Sequence, residues 1–270
     1  MLTNSKDLKG LVIRATDGEL GTVEEVYFED DKWAVRYLTV ETGDWLAGRS
    51  VLISPYSIRG TDWQARRLDV ALTKSQVRDS PNVSTHAPIS REHESTYLSY
   101  YGYPYYWDGP DMWGQAQLPH QAAMAATASA EAMAKRIRDE SQDSFLRSTA
   151  GTIGYHIDAS DGEIGHVAGF VVDDEAWAIR YVEVSTQNWW PGKRVLISPG
   201  WIERISWREE KVYVPLLRDA IQSAPEYVAS QPISREYEHR LHLHYGRPPY
   251  WVHAPREESL DLAPSLTSIA

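Results

Sequence analysis

Displaced by 144 positions, this sequence matches itself. Asp17-Gly18-Glu19-Leu20-Gly21 falls on Asp161-Gly162-Glu163-Ile164-Gly165, and Trp33-Ala34-Val35-Arg36-Tyr37 falls on Trp177-Ala178-Ile179-Arg180-Tyr181. Val51-Leu52-Ile53-Ser54-Pro55 recurs unchanged from Val195 to Pro199. Pro88-Ile89-Ser90-Arg91-Glu92 returns from Pro232 to Glu236, and Tyr106-Trp107 returns as Tyr250-Trp251. The offset holds without a gap from Gly10 to Trp107, and about 38 of roughly 98 paired positions are identical. Whatever fold one copy adopts, the other must adopt with the same loop lengths. A unit this long is a duplicated domain rather than one rung of a solenoid.

Within copy one, short β-prone runs alternate with turn signals. Leu11 to Ala15 leads into Thr16-Asp17-Gly18, where Gly supplies the positive φ of a hairpin turn. Gly21 to Phe28, Trp33 to Thr42, Arg49 to Ser54, Ser57 to Asp62 and Arg67 to Leu72 read as further strands. Five or six such strands predict a small barrel or sandwich. Thr73 then caps a short helix to Asp79, and Ser90 caps a longer one that Gly102 ends. These readings predict a mainly β protein of two small barrels in tandem, each followed by short helices and an aromatic extension. The expected units are 1–113 and 149–255, joined by an Ala-rich linker over 114–148 and followed by a tail over 256–270.

Composition narrows the chemistry. The formal charge is −11, which disfavours phosphate backbones, so no nucleic-acid partner is expected. There is no cysteine, hence no disulfide and no thiolate nucleophile or ligand. No apolar run approaches the roughly 20 residues of a membrane helix, and the N-terminal residues lack a signal-peptide pattern. A cytoplasmic protein is expected.

The pattern Asp-Gly-Glu-hydrophobic-Gly-x-Val, then Trp-Ala-hydrophobic-Arg-Tyr, then Val-Leu-Ile-Ser-Pro resembles that of PRC-barrel domains, over about residues 5–75 and 149–219. The added Pro-Ile-Ser-Arg-Glu and Tyr-Trp segments resemble the extension of bacterial tandem PRC-barrel proteins. The resemblance implies a small β-barrel used as an assembly module, as in the cytoplasmic domain of the photosynthetic reaction-centre H subunit and the C-terminal domain of the ribosome-maturation factor RimM. No segment of this sequence resembles the membrane helix of the former, and no counterpart of the latter's N-terminal domain is expected.

Several residue groups are candidate sites. Asp17 and Glu19, with Asp161 and Glu163, could form acid/base pairs, although turn chemistry alone accounts for them. Glu29-Asp30-Asp31 and Asp173-Asp174-Glu175 lack the spacing of a calcium loop and read as solvated hairpin tips. His239, His242 and His244 are weak metal candidates, with Ser95, Leu98 and Tyr100 at the matching positions of copy one. The aromatic positions Tyr97, Tyr100, Tyr101, Tyr105, Tyr106 and Trp107, with Tyr245, Tyr250 and Trp251, are the interface candidates. They serve either packing within the chain or between copies, or the binding of a separate protein. Trp45, Trp63, Trp207 and Trp189-Trp190 read as barrel-edge core.

No Gly-rich phosphate loop, zincin motif or nucleophile elbow is present, so neither a catalytic residue nor a cofactor is expected. The expected function is non-catalytic: scaffolding or regulation through protein contacts, with self-association as a homodimer or as packed repeats. The alternatives are a small-ligand or metal sensor using the cleft between repeats, and an accessory assembly role like those of the named relatives in photosynthesis or ribosome maturation.

Overall fold

A computed structural model describes residues 1–46, 49–81, 89–126, 146–186 and 193–252. Trp189-Trp190, the second half of the Ala-rich stretch and the tail lie outside the described residues. Repeat 1 begins with β1 (Leu2–Asn4) and α1 (Ser5–Leu8), then β2 (Val12–Ala15), β3 (Gly18–Glu29), β4 (Ala34–Glu41) and β5 (Ser50–Ile53). After a 3-10 turn at Pro55–Ser57 come β6 (Ile58–Asp62), β7 (Arg67–Val70), α2 (Lys74–Arg78) and α3 (Arg91–Tyr101). Then α4 (Pro119–Ala126) stands between the repeats. Repeat 2 runs β8 (Leu146–Ser148), α5 (Thr149–Thr152), β9 (His156–Ala159), β10 (Gly162–Asp173), β11 (Ala178–Ser185) and β12 (Arg194–Ile197). It ends with β13 (Arg204–Ser206), β14 (Lys211–Tyr213), α6 (Arg218–Gln222) and α7 (Arg235–Tyr245). The fold is mainly β, and the PRC-barrel architecture fits it.

In each repeat the long hairpin is the centre. β3 pairs antiparallel with β2 and β4, and β4 with β5. β2 also pairs in parallel with β7, a contact that no local turn signal announces. β9 to β14 repeat these pairings. Gly21 is required by the close approach of β3 to β4, since a Cβ there would lie 1.9 Å from the Glu41 carbonyl oxygen. Gly165 meets the Ser185 carbonyl in the same way, at 2.0 Å. Every residue from Ala34 to Val40 is buried, because the sheet core lies on one face and α3 on the other. The strand is therefore buried on both faces, although it carries Arg36 and Thr39.

The helices start where the sequence places their caps. Thr73 and Gln76 form a capping box at α2. Ser90 caps α3 and Ser234 caps α7, and Gly102 and Gly246 end them in the left-handed region. Asp17 does more than turn a hairpin: its Oδ1 accepts from the Lys74 amide at 2.8 Å, and Asp161 accepts from the Arg218 amide at 2.9 Å. Each hairpin turn thus tethers the first residue of the following helix.

The two repeats are not separate barrels on a tether. Their strands form one 14-stranded sheet. β1 leaves its own repeat and pairs with β10, and β8 pairs with β3. The registers match under the 144-residue offset: Leu2 faces Asp173 and Leu146 faces Glu29, while Asn4 faces Val171 and Ser148 faces Tyr27. Residues 146–148, expected at the end of a linker, are therefore the first strand of repeat 2. Among the described residues each repeat has seven strands rather than the five or six expected, one of them lent to the other repeat.

Candidate functional site

The segments repeated in both copies converge on one constellation. In repeat 1, Arg36 of Trp-Ala-Val-Arg-Tyr is 1% exposed. Its Nη2 donates to Glu29 Oε2 at 2.7 Å, and its guanidinium lies 3.8 Å from the Tyr106 ring centroid and 4.7 Å from that of Trp113. A buried cation needs such a carboxylate and such ring faces, because no water solvates it. Tyr106 donates its hydroxyl to the buried Glu94 and accepts from Arg91 Nη1 at 2.8 Å. Arg91 also pairs with Glu94 at 3.3 Å and covers the Trp107 ring at 4.1 Å.

Repeat 2 rebuilds the cluster with Arg180 on Asp173 (2.8 Å), Arg180 over Tyr250 (4.2 Å), Tyr250 donating to Glu238 (3.0 Å) and Arg235 on Glu238 (3.0 Å). Three motifs distant in sequence are one clamp that fastens the helical extension to the sheet. Tyr97 adds to it in repeat 1, donating to the Leu52 carbonyl and accepting from the Ser54 amide, each at 3.1 Å.

Burial pushes Glu94 up to about 7, and the opposing pull of Arg91, Tyr106 and Arg36 only partly offsets it. A carboxyl poised there has the proton affinity of a general acid. Its geometry argues otherwise, for Glu94 is 0% exposed and lines neither of the two grooves described below.

The second element is the seam between repeats. The Val35 amide donates to the Trp177 carbonyl and the Ile179 amide to the Trp33 carbonyl, both at 2.7 Å. Trp33 and Trp177 hold φ values of 54° and 53°, in a region that non-glycine residues rarely enter. The turned backbone aims each carbonyl at the other repeat. Phe28 and Phe170 pack across the seam at 5.4 Å, with Trp33 stacked on Phe28 at 5.4 Å.

Of the acidic hairpin tips, expected to be solvated, Asp31 and Glu175 are exposed, whereas Glu29, Asp30 and Asp174 are drawn into ion pairs and hydrogen bonds at or beside the seam. Glu29 pairs with Arg36, and Asp30 with Arg147 at 3.2 Å. Asp174 accepts from Trp63 Nε1 at 2.9 Å and pairs with the Met1 ammonium. Trp63 and Trp207, expected at a barrel edge, thus sit at the seam, the latter beneath Arg147 at 4.3 Å. Trp45 stays within its repeat, with Nε1 on the Leu20 carbonyl at 2.6 Å.

The interface candidates divide. Tyr97, Tyr105 and Tyr106 are buried inside the chain. Tyr101, Trp107, Tyr245, Tyr250 and Trp251 are half-buried, and Tyr100 is 42% exposed. The three histidines do not converge. His242 is buried against Tyr181 and Trp201, His239 rests on Trp251, and His244 Nε2 lies 2.7 Å from the Ala220 carbonyl. Among the described residues no three His, Asp or Glu side chains are grouped to hold a metal. Asp17 and Asp161 serve as helix tethers, and Glu19 is exposed.

Sequence reading missed three participants. Trp113 is fully buried and its Nε1 donates to the Ala176 carbonyl of the other repeat at 2.9 Å, although it lies beyond the repeated segment. Glu183 is 0% exposed and accepts from Asn4 Nδ2 of the lent strand at 2.8 Å and from Arg194 at 2.5 Å. The only hint was a Glu inside an apolar strand where copy one has Thr39. Lys32 reaches the carbonyls of Gly109 and Asp111 at 2.9 and 2.6 Å, pinning the chain just before α4.

Beside the clamp, an open groove on repeat 1 lies among the 3-10 turn, α2, α3 and α4, and a smaller one on repeat 2 lies between α6 and α7. Among the described residues no helix is long and apolar enough to cross a membrane.

With this geometry in view, comparison with known families places a PRC-barrel domain at residues 4–77. That span starts in β1 and ends in α2, so it covers the strands of repeat 1 and excludes the clamp helix. No curated protein matches the chain.

Proposed function

We propose that this protein is a non-catalytic assembly module: two PRC-barrel repeats locked together as an intramolecular pair, presenting their unlike outer faces to other proteins. The reading is supported by where likeness and difference fall. The clamp and the seam are built largely from residues kept in both repeats, which hold the chain together. The outward faces of α3 and α7 differ, with Ser99 and Tyr100 in one and Leu243 and His244 in the other. Leu243 is 82% exposed, and Leu217 and Val228 on the same repeat are 57% and 41% exposed. A large aliphatic side chain held in water on a helix, with two more exposed beside it on the same repeat, suits a protein contact.

The test is affinity capture from the native host with the wild-type chain and with Leu243→Asp. One partner at a fixed stoichiometry, lost in the variant while its circular dichroism and melting are unchanged, is the expected result. Absence of any stoichiometric partner, or equal capture by the variant, would refute the reading.

A further inference from the structure

The groove on repeat 1, about 1040 Å³, lies at the upper limit of small-molecule sites, which run to roughly 1,000 Å³. Its walls are aromatic and fixed. Tyr101 and Tyr103 stack at 5.5 Å and 15°, Tyr56 closes on Tyr103 at 5.1 Å, and Tyr100 is held by its hydroxyl on the Gln76 carbonyl at 2.9 Å. Met124 of α4 stands on the rim, 76% exposed. The polar lining is one-sided. Among the described residues no Asp or Glu lines this groove, whereas Arg59 and His120 do.

Arg59 also differs from the arginines of the neighbouring strands β2 and β7. Arg14 and Arg67 are tied to Asp69 and Asp62, whereas Arg59 has no ion-pair partner among the described residues. In repeat 2 the same positions abolish the site. Glu203 stands for Arg59 and Ala220 for Gln76. Trp201 stands for Ser57 and fills the space against His242 and Tyr245 at 5.0 and 4.8 Å.

We infer that this groove binds an organic monocarboxylate with an aromatic or aliphatic body, its carboxylate on Arg59 beside His120 and its body between the tyrosines and Met124. One guanidinium matches one carboxylate in a bidentate pair. A phosphate ester or a polyanion would need more donors than the lining offers, and the charge of −11 repels multiply charged ligands most. The site is independent of the assembly reading and of the Leu243 face.

Calorimetric titration of the full chain with 4-hydroxyphenylacetate, its neutral amide, and decanoate tests this. Saturable binding of at least one carboxylate is expected, with the amide weaker by about tenfold or more. Arg59→Gln should weaken the carboxylate about tenfold, Tyr100→Ala should weaken it as well, and Arg247→Gln on repeat 2 should change nothing. Circular dichroism of each variant establishes that it is folded. No saturable binding of either carboxylate up to about 10 mM, equal affinity for acid and amide, or an Arg59→Gln variant that binds as well as wild type would each overturn the assignment.

Discussion

Ala34 and Ala178 are paired across the seam, at positions 144 apart, where the two halves of the sheet meet antiparallel. Both are buried, at 0% and 1% exposure, and the two 2.7 Å backbone bonds flank them. The two methyl groups are buried where the residue meets its counterpart from the other repeat. Ala34→Leu should therefore overpack the seam and cost about 1–3 kcal/mol, read as a lower urea midpoint at unchanged slope. An unchanged midpoint would mean that the halves are not packed this way.

The exchange of β1 and β8 predicts that the covalent link is not what holds the repeats together. A specific protease site placed within residues 127–145 and then cut should leave the two fragments co-eluting at the volume of the intact chain. They should separate only in denaturant. Fragments that part in native buffer would show that the reciprocal strand pairs are too weak to hold the seam.

The strand exchange also predicts which half suffers from a lesion. Removing residues 1–4 strips the end of β10 of its partner β1 and deprives Oε2 of the buried Glu183 of Asn4. An unpaired buried acceptor costs about 1–3 kcal/mol. Hydrogen exchange should speed up at the Asp174 amide, which donates to the Met1 carbonyl at 3.1 Å, and along β10, while β7 and the β2–β7 pairing stay protected. Faster exchange in β2 and β7 instead would place the strand in its own repeat.

Much of the fold was legible because it is local. Asp17-Gly18, the Thr73 and Ser90 caps and Gly102 act within a few residues of themselves, and strands and helices fall where they stand. The lent strand was not legible. Leu2-Thr3-Asn4 carries no alternation and no turn, and becomes a strand only because β10 offers it an edge. The clamp was half legible: its motifs stood out by repetition, but nothing in their spacing shows that Arg36, Arg91 and Tyr106 meet. The acidic tips misled for a physical reason. Carboxylates look solvated in a sequence, and only the partner repeat supplies Arg147 and Trp63 to receive them.

Arg36 offers a test of the clamp by substitution. Its guanidinium is buried between Tyr106 and Trp113 with Glu29 as its carboxylate partner. Glu29→Gln leaves a buried cation without its counter-charge and should cost about 3–5 kcal/mol. Arg36→Met with Glu29→Gln removes both charges and keeps the volume, so the double variant should recover most of that loss. Additive losses in the cycle would mean that the two side chains do not act as a pair.

The protonation of Glu94 sets a pH dependence whose sign can be worked out. Its carboxyl is raised to about 7 in the fold, against 4.5 for the free group. Between those values the native state holds a proton that the unfolded chain has released. The contribution of this group to stability is therefore complete below pH 4.5 and declines as pH rises toward 7, by up to about 3 kcal/mol. His242 works in the opposite direction: burial lowers its affinity for a proton, so its contribution is lost as pH falls below 6.5. The wild-type profile alone mixes the two. The difference between Glu94→Gln and wild type removes the His242 term, since both proteins carry it. Urea unfolding at a series of pH values should show the variant gaining on wild type steadily from pH 4.5 to about 7 and holding level above. A flat difference, or one that falls with pH, would show Glu94 ionised throughout, with Arg91 and Arg36 outweighing its burial.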